Sequence, residues 1–480
     1  MDRIPVEVIG KILSGLGAAR HIVIVSATCR KWREACKYLH TLSFSSVEWP
    51  RYIDLTISEL EISITQTIFL TKGLQRLSLV FDCAYFSAPS VHAWLLYTRE
   101  TLLELRYNVR TSLRVNILDI FGRYKLEVIE LAHISILKVD TLLHRFPCLK
   151  SLSLRYVSVP SALHLNVLLS VCPKIESLEL INPRIAMFDV HKKVKLSSPT
   201  LKSIFVEAVR VDKLIVEVEC LEIFHLKDCA LDDFELIGKG LKQIKLDDVS
   251  ITHLSIGENF ESLEVVDISN FSNFRPIFFE TISKSSSLRK LRLWNSNVML
   301  EDGDGDGDED ENADEVEDMD EDEDEDEVEF EAEDEVEDAN ENEVEDANED
   351  EDLETNRIST HQLNHYSVDL ETIAVSFPKL SHLSLNYNLR DGSLNHSVQG
   401  SSYLTNVTVL ELGWTVLTDV FSEWVESLLK RCPNLKRLVI HGVIRDAKSQ
   451  DKCHTLANFT SSMFRLMRNY MHVEVQFEFT

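Results

Sequence analysis

Beyond Trp49-Pro50 the chain returns repeatedly to one arrangement: an aliphatic residue, two residues, a second apolar residue, one residue, a third apolar residue. It occurs at Leu74/Leu77/Leu79, Leu102/Leu105/Tyr107, Leu126/Ile129/Leu131, Leu149/Leu152/Leu154, Ile175/Leu178/Leu180, Leu201/Ile204/Val206 and Leu221/Phe224/Leu226. It continues at Leu241/Ile244/Leu246, Leu263/Val266/Ile268, Leu288/Leu291/Leu293, Leu380/Leu383/Leu385, Val407/Leu410/Leu412 and Leu435/Leu438/Ile440. First positions are 28, 24, 23, 26, 26, 20, 20, 22 and 25 residues apart, then 92, then 27 and 28. One such triplet means little, but an ordered series at this period marks a repeat array. Lead-ins recur as well, among them Phe146-Pro147-Cys148-Leu149, Cys172-Pro173-Lys174-Ile175, Phe377-Pro378-Lys379-Leu380 and Cys432-Pro433-Asn434-Leu435.

The period-2 part of each triplet predicts a short strand with two inward aliphatics. A helix or arc then runs along the other side, and a proline ends it before the next strand. No unit can bury its apolar edge alone, so neighbours must stack, which predicts a curved α/β solenoid. The alternation Val473-x-Val475-x-Phe477-x-Phe479 predicts a last strand that covers the open end. Between the inward aliphatics, Arg106, Arg155, Glu179, His225, Lys227, Lys245, Asp247, Asp267, Arg292, Trp294, Asn386, Glu411 and His441 fall on the concave face, the usual binding surface of a solenoid. Solvated polar positions on a sheet account for many of them. Trp294, a large aromatic beside Arg292, has the character of an interface anchor.

The first forty residues follow a different period. Val6, Ile9, Leu13 and Leu16 make one helical stripe and Val8 and Ile12 a second. Pro5 precedes them where a helix tolerates proline. Gly15 and Gly17 break this helix, a short one follows through Ile22, Val23 and Val25, and a third runs from near Thr28 through Trp32 to Lys37. Three short helices hold too little interior to bury two apolar faces. Some of that surface is expected to meet a partner or the domain that follows.

Ile4-Pro5-x-Glu7, Ile12-Leu13-Ser14-x-Leu16 and Cys29-Arg30-Lys31-Trp32-Arg33, in that order, resemble the F-box. With the Phe-Pro and Cys-Pro lead-ins of the array, the chain resembles plant F-box/LRR-repeat proteins. The resemblance implies an α/β fold: a three-helix F-box over 1–40 and a curved leucine-rich-repeat solenoid over 41–300 that resumes over 353–480 with the last repeats and a C-terminal cap; it does not extend to the acidic insertion over 301–352. It implies a non-catalytic substrate receptor of an SCF ubiquitin ligase. Ile4, Pro5, Ile12, Leu13, Leu16, Val23, Val25 and Trp32 would face the Skp-type adaptor, and through it cullin, or support that face. An unidentified client protein would lie on the concave face against Arg106, Arg155, His225, Lys245, Arg292, Trp294, Asn386 and His441. No cofactor is implied.

Charge changes this picture in one place. The net charge is −31, yet Glu301 to Asp352 hold 35 acidic residues and no Lys or Arg, leaving 45 acidic against 49 basic residues elsewhere. Self-repulsion and scarce apolar residues predict a disordered insertion between two repeats. It is either a tolerated solvated loop or a site for a basic partner. Asp302-x-Asp304-x-Asp306-Gly307 imitates the start of an EF-hand loop, but the twelfth position is Ala313 where a bidentate Glu is required. His361 and His365 are half a metal site at most.

The remaining chain is nearly neutral and lacks a basic arm, so neither nucleic acid nor membrane is expected as a partner. The nine cysteines are scattered and odd in number, as reduced intracellular thiols are. Cys29, Cys148, Cys172 and Cys432, beside apolar residues or proline, are expected to be buried. No signal-peptide pattern opens the sequence, so the Asn-x-Ser/Thr matches at Asn270, Asn395, Asn406 and Asn458 are not expected to be glycosylated. The compartment expected is cytoplasm, nucleus or both. No Walker loop, G-x-S-x-G, H-E-x-x-H or G-x-G-x-x-G is present. The alternative to a ligase receptor is a leucine-rich scaffold whose first helices cap the array and whose acidic loop binds basic proteins.

Overall fold

The computed structural model describes residues 4–46, 56–136, 138–141, 144–185, 193–257, 260–271, 276–294, 298–299, 365–366, 370–386, 402–415, 419–442 and 450–479. Met1–Leu300 and His365–Thr480 form one compact unit, from which Glu301–Asn364 is separate. The acidic tract, its EF-hand-like run and His361 lie outside the described residues, as do the side chains of His365 and Asn386.

The second and third residues of each triplet lie on a strand, and the strands join in a 17-stranded sheet that is parallel at every pairing. One backbone contact repeats through it. The carbonyl of Gln75 accepts from the amides of Leu103 and Glu104, that of Lys150 from Glu176 and Ser177, and that of Glu222 from Lys242 and Gln243. The series begins at His40, whose carbonyl takes the Gln75 and Arg76 amides, and ends where Lys436 receives the Glu474 amide. It crosses the acidic insertion without a change of register: Arg289 accepts from Ser381 and His382, and Lys290 pairs with His382. Val298–Met299 and His365–Tyr366 close the ends of the insertion as a short antiparallel ladder.

Leaving the sheet, seven successive segments turn at a fixed position, two residues past the second inward aliphatic. His133, Tyr156, Asn182, Ala208, Asp228, Asp248 and Asn270 all stand there in the left-handed region, with φ between +45° and +55°. Asn, Asp and His tolerate that conformation better than other non-glycine residues. The corner amide keeps the ladder going: His133 N donates to Arg155 O at 3.0 Å, Asn182 N to Glu207 O at 2.8 Å and Ala208 N to Lys227 O at 3.0 Å.

The return arm varies along the array. Units of 26 to 28 residues hold helices such as Ala88–Thr98, Ala162–Ser170 and Asp419–Arg431. Between Lys193 and Ile256 the arm is instead a strand. Ile223–Ile237 and Gln243–Ile256 turn at Asp228 and Asp248, so their first halves extend the main ladder. Their second halves join a side ladder with Arg210–Glu217 and, beyond it, Lys193–Ser197. A strand advances about 3.3 Å per residue against 1.5 Å for a helix, so a unit of 20 residues closes its circuit only with an extended arm. The sequence reading allowed a helix or an arc here, and the arc is found in the units of 20 to 22 residues and also in the 26-residue unit that ends in Lys193–Ser197.

The core is continuous along the array. The inward Leu, Ile, Val and Phe of the triplets are almost fully buried, with Phe81, Phe86 and Trp94 beneath the first repeats and Phe421 and Phe459 near the last. Burying each such side chain contributes about 1.5–3 kcal/mol. The strand Glu474–Phe479 pairs with Arg437–Gly442 and ends the sheet, as its alternation predicted. Cys172 and Cys432 are buried, with thiols pushed up to about 12 by desolvation. Cys148 is only half-buried, and Cys29 is exposed, because it caps the third helix at the surface.

Ala208 carries a Cβ at a left-handed corner, a conformation that costs an L-residue roughly 1–2 kcal/mol. Ala208→Gly should raise unfolding free energy by about 0.5–1 kcal/mol once the entropy of glycine is subtracted. Ala230→Gly, in the strand that follows the next corner, should lower it. Thermal unfolding of the two variants checks the pair, and a lower Tm for Ala208→Gly would refute the corner account.

Candidate functional sites on the first helices and the sheet face

The N-terminal helices are Val6–Ser14, Ala19–Ser26 and Arg30–Ala35, followed by a 3-10 turn, Cys36–Tyr38. The first and third meet at Gly10, where a Cβ would lie 2.7 Å from both Ala35 O and Tyr38 Cβ, so only glycine fits. Gly17, at φ +65°, turns the chain into the second helix. The group is hydrogen-bonded to the array: Ser43 N donates to Gly17 O at 2.9 Å, His40 N to Ser14 Oγ at 2.7 Å and Lys72 N to Lys37 O at 2.7 Å. Thr41–Ser45 is itself the first strand of the sheet, paired with the start of Arg76–Phe86.

Ile9, Leu13, Ala19 and Ile22 fill the inner side of these helices, while Val8, Ile12, Leu16, Val23 and Ile24 stay exposed, Ile12 at 58%. That is the apolar excess expected of helices too short to bury both faces. Of the residues predicted for a partner, Ile12, Leu16, Val23 and Pro5 are at the surface. Ile4, Val25 and Trp32 are half-buried against the core. Leu13, 1% exposed, lies beneath the face and supports it without reaching a partner. Trp32 is likewise no free-standing anchor. Val8 and Ile24 were absent from the predicted set. Val8 was legible one turn before Ile12, whereas Ile24 is hidden in the unbroken apolar run Ile22 to Val25.

On the sheet face, the basic residues singled out from the sequence meet carboxylates on neighbouring strands. Arg106 Nε lies 3.3 Å from Glu130, Arg155 Nη2 3.1 Å from Glu179, and Lys245 Nζ 3.8 Å from Asp247 on its own strand. Exposed pairs of this kind contribute 0–1 kcal/mol each. Their effect is to neutralise a face that looked basic in one dimension. His225 packs at 4.7 Å on the Phe205 ring, and its Nε2 has no hydrogen-bond partner among the described residues. Burial and then the Lys245 ammonium push its imidazole down to about 4.

A denser group straddles the acidic insertion. Arg292 lies 3.5 Å from Asp267 and 3.1 Å from Glu411, and its guanidinium stands over the Trp294 ring at 4.4 Å. Trp294 is not the exposed aromatic expected. Its Nε1 donates to Ser384 Oγ at 2.6 Å, its edge meets His441 at 5.5 Å, and it covers Gly413, whose Cβ would lie 2.8 Å from Trp294 Cε2. His382 Nε2 is 3.3 Å from Glu411, and His441 Nδ1 is 3.1 Å from Glu478. The imidazole and guanidinium beside Glu411 hold its carboxyl well below the usual range, while burial raises that of Asp267. Asp267 Oδ1, Arg292 Nε and His441 Nε2 are buried without hydrogen-bond partners among the described residues.

An F-box-like family model matches residues 1–42, and the repeat model of an FBD-associated F-box protein, At5g56370, matches residues 98–247. Over 482 aligned residues, all of both chains, the sequence is 52% identical to the F-box/LRR-repeat protein At1g67190 of Arabidopsis thaliana. The chain belongs to the plant F-box/LRR-repeat family. A second Arabidopsis relative, F-box/FBD/LRR-repeat protein At5g53840, is 24% identical over 294 residues, 60% of this chain and 61% of that one. The F-box match coincides with the helices that keep apolar side chains exposed, and the repeat match falls within the parallel ladder. Among the described residues no group of three or more His, Cys, Asp or Glu could hold a metal, and no helix is long and apolar enough to cross a membrane.

His225 gives a pH test of the sheet face. The unfolded chain takes up a proton near pH 6.5 but the folded chain resists until about 4, so stability must fall as pH drops through that window. His225→Gln should flatten the decline in Tm between about pH 6.5 and about pH 4. Equal slopes for the two proteins would show that His225 titrates normally in the fold.

Proposed function

We propose that this chain is the substrate-recognition subunit of an SCF-type ubiquitin ligase. The N-terminal helices dock on a Skp-type adaptor, and through it on cullin, and the repeat array, curved as such solenoids are, holds the protein to be ubiquitinated. The observation that carries this reading is the exposed set Val8, Ile12, Leu16, Val23 and Ile24 on helices whose inner faces are already filled. Apolar surface of this kind is a mark of a protein–protein site. The same helices hydrogen-bond to the first strand of the sheet, so they cap the array as well as carrying the docking face. The chain's own contribution is to hold two partners together, replacing a bimolecular encounter by proximity. On the client side the best-formed element is Arg292 with Trp294, beside buried polar atoms that still lack partners. A client offering donors and acceptors there would recover their desolvation.

Ile12 and Ile24 are the choice for a test because both are exposed, whereas a change at half-buried Trp32 would mix binding with stability. Ile12→Asp together with Ile24→Asp should weaken capture of a purified Skp-type adaptor by about 100-fold or more, at about 2 kcal/mol per anchor. Far-UV circular dichroism and Tm should stay unchanged. Undiminished capture by the double variant would end the adaptor assignment for this face.

A further inference from the structure

Where the chain leaves the sheet at its left-handed corners, three cavities adjoin along the edge of successive repeats. The first, about 450 Å³, is lined by Arg110, Arg114 and Arg184 together with Tyr85, His133 and Tyr156. The second, about 350 Å³, shares Arg114 and Arg184 with it, and Ser135 and Ser158 line both. The third, about 440 Å³, shares Arg184 and extends the line to Arg210 and Asp228. The corner residues His133 and Tyr156 form part of the wall, stacked with ring centroids 4.8 Å apart. Arg110 stands over the Tyr85 ring at 6.0 Å.

The charge pattern here is the opposite of that on the sheet face. Arg76, Arg106, Arg155 and Arg292 each have a carboxylate at 3.1–3.5 Å. No Asp or Glu lines the first two cavities, and among the described residues no carboxylate lies within 4.0 Å of a nitrogen of Arg110, Arg114 or Arg184. Three permanent cations therefore border one space with no carboxylate in ion-pair contact among the described residues. Guanidinium forks match the oxygens of phosphoryl groups and carboxylates. Of these, a phosphoryl group, with a charge of about −1.5 to −2 and three acceptor oxygens, suits several guanidinium groups best. Hydroxyls of Ser135, Ser158 and Tyr85 add donors in the same space. The space is a groove that passes from repeat to repeat and opens to solvent, a shape that suits an extended chain better than an enclosed small molecule.

We propose that this groove binds an extended peptide through a phosphorylated side chain held by Arg110, Arg114 and Arg184, with Tyr85 and the His133–Tyr156 stack against the flanking residues. The proposal deepens the receptor reading and rests on it for its use: it gives the array a second point of client capture and makes capture depend on the client's phosphorylation.

The test uses the full chain and three labelled, degenerate peptide mixtures that share flanks and carry phosphoserine, serine or glutamate at the centre. Fluorescence anisotropy in about 0.15 M salt should show the phosphoserine mixture binding at least about 10-fold more tightly than the serine mixture. Arg114→Glu with Arg184→Glu, both at exposed positions, should abolish that difference. Lys174→Glu, at the opposite end of the strand Ser177–Ile181, should leave it intact. Equal binding of all mixtures, or retention of the preference by the double variant, would overturn the proposal. A glutamate mixture as tight as the phosphoserine one would overturn its phosphoryl part. Full displacement of the peptide by free phosphoserine at the peptide's own concentration would assign the groove to a small phosphorylated ligand, and binding only to phosphatidylserine vesicles would assign it to a membrane surface. Adaptor capture, measured on the same preparations, keeps the two readings apart. Capture without discrimination among the mixtures removes the groove proposal alone, whereas discrimination without capture removes the ligase reading alone.

Discussion

The structure depends on one constraint, that each unit must hand its lead-in carbonyl to two amides of the next. His40 opens this series and Lys436 ends it, and every inward aliphatic is placed by it. No unit has an interior of its own, so the ladder and the core are two views of the same stacking, and neither survives without the other. That explains how a long, highly charged insertion can sit inside the array. The ladder asks only that Ser381 and His382 reach Arg289, and the short clasp of Val298–Met299 with His365–Tyr366 brings the ends of the insertion together. Loop-closure entropy grows only slowly with length, so the added residues cost little beyond the first few.

The same constraint sorts what could be read in one dimension. The strands of the main ladder were legible from the triplets, because burial on one side of a parallel strand imposes a period of two and stacking imposes the repeat. Even so, Leu39, Leu42 and Phe44 have the triplet spacing, and Leu42 and Phe44 lie on the first strand, yet they stand where the helical period of the preceding residues hides them. The 20-residue spacings called for an extended return arm once read as the length of a closed path, but the 26-residue unit that ends in the strand Lys193–Ser197 gave no such signal. Side-chain fate was less legible. Arg106 and Arg155 looked available until strands 24 and 26 residues away supplied Glu130 and Glu179. Trp294 looked exposed until Gly413, beyond the insertion, provided its seat.

The two arginine populations show why the edge matters more than composition suggested. On the sheet face, strands in register place opposite charges side by side, and the field cancels locally. At the edge Arg110 pairs with Tyr85 and Arg184 with Ser158, neither of which carries a carboxylate, and no Asp or Glu lines the two cavities that Arg114 and Arg184 share. A near-neutral total for the folded repeats is therefore the sum of a cancelled face and a positive edge. Composition averages the two, and the triplet rule looks only at the face.

The N-terminal helices join these threads. Gly10 lets the first and third helices close until their inner faces are full, and this closure forces Val8, Ile12 and Ile24 outward. The helices cannot tilt freely to hide that surface, because Gly17, Ser14 and Lys37 are hydrogen-bonded to the first strand and to the turn before the second. The apolar excess is thus a consequence of the docking of these helices on the array. Under the proposed role, a partner bound there is linked to whatever the array holds through one continuous hydrogen-bonded ladder with no flexible joint between Gly17 and the first strand. Restricting relative motion in this way raises the effective concentration of one partner at the other, so that proximity alone accelerates a reaction between them.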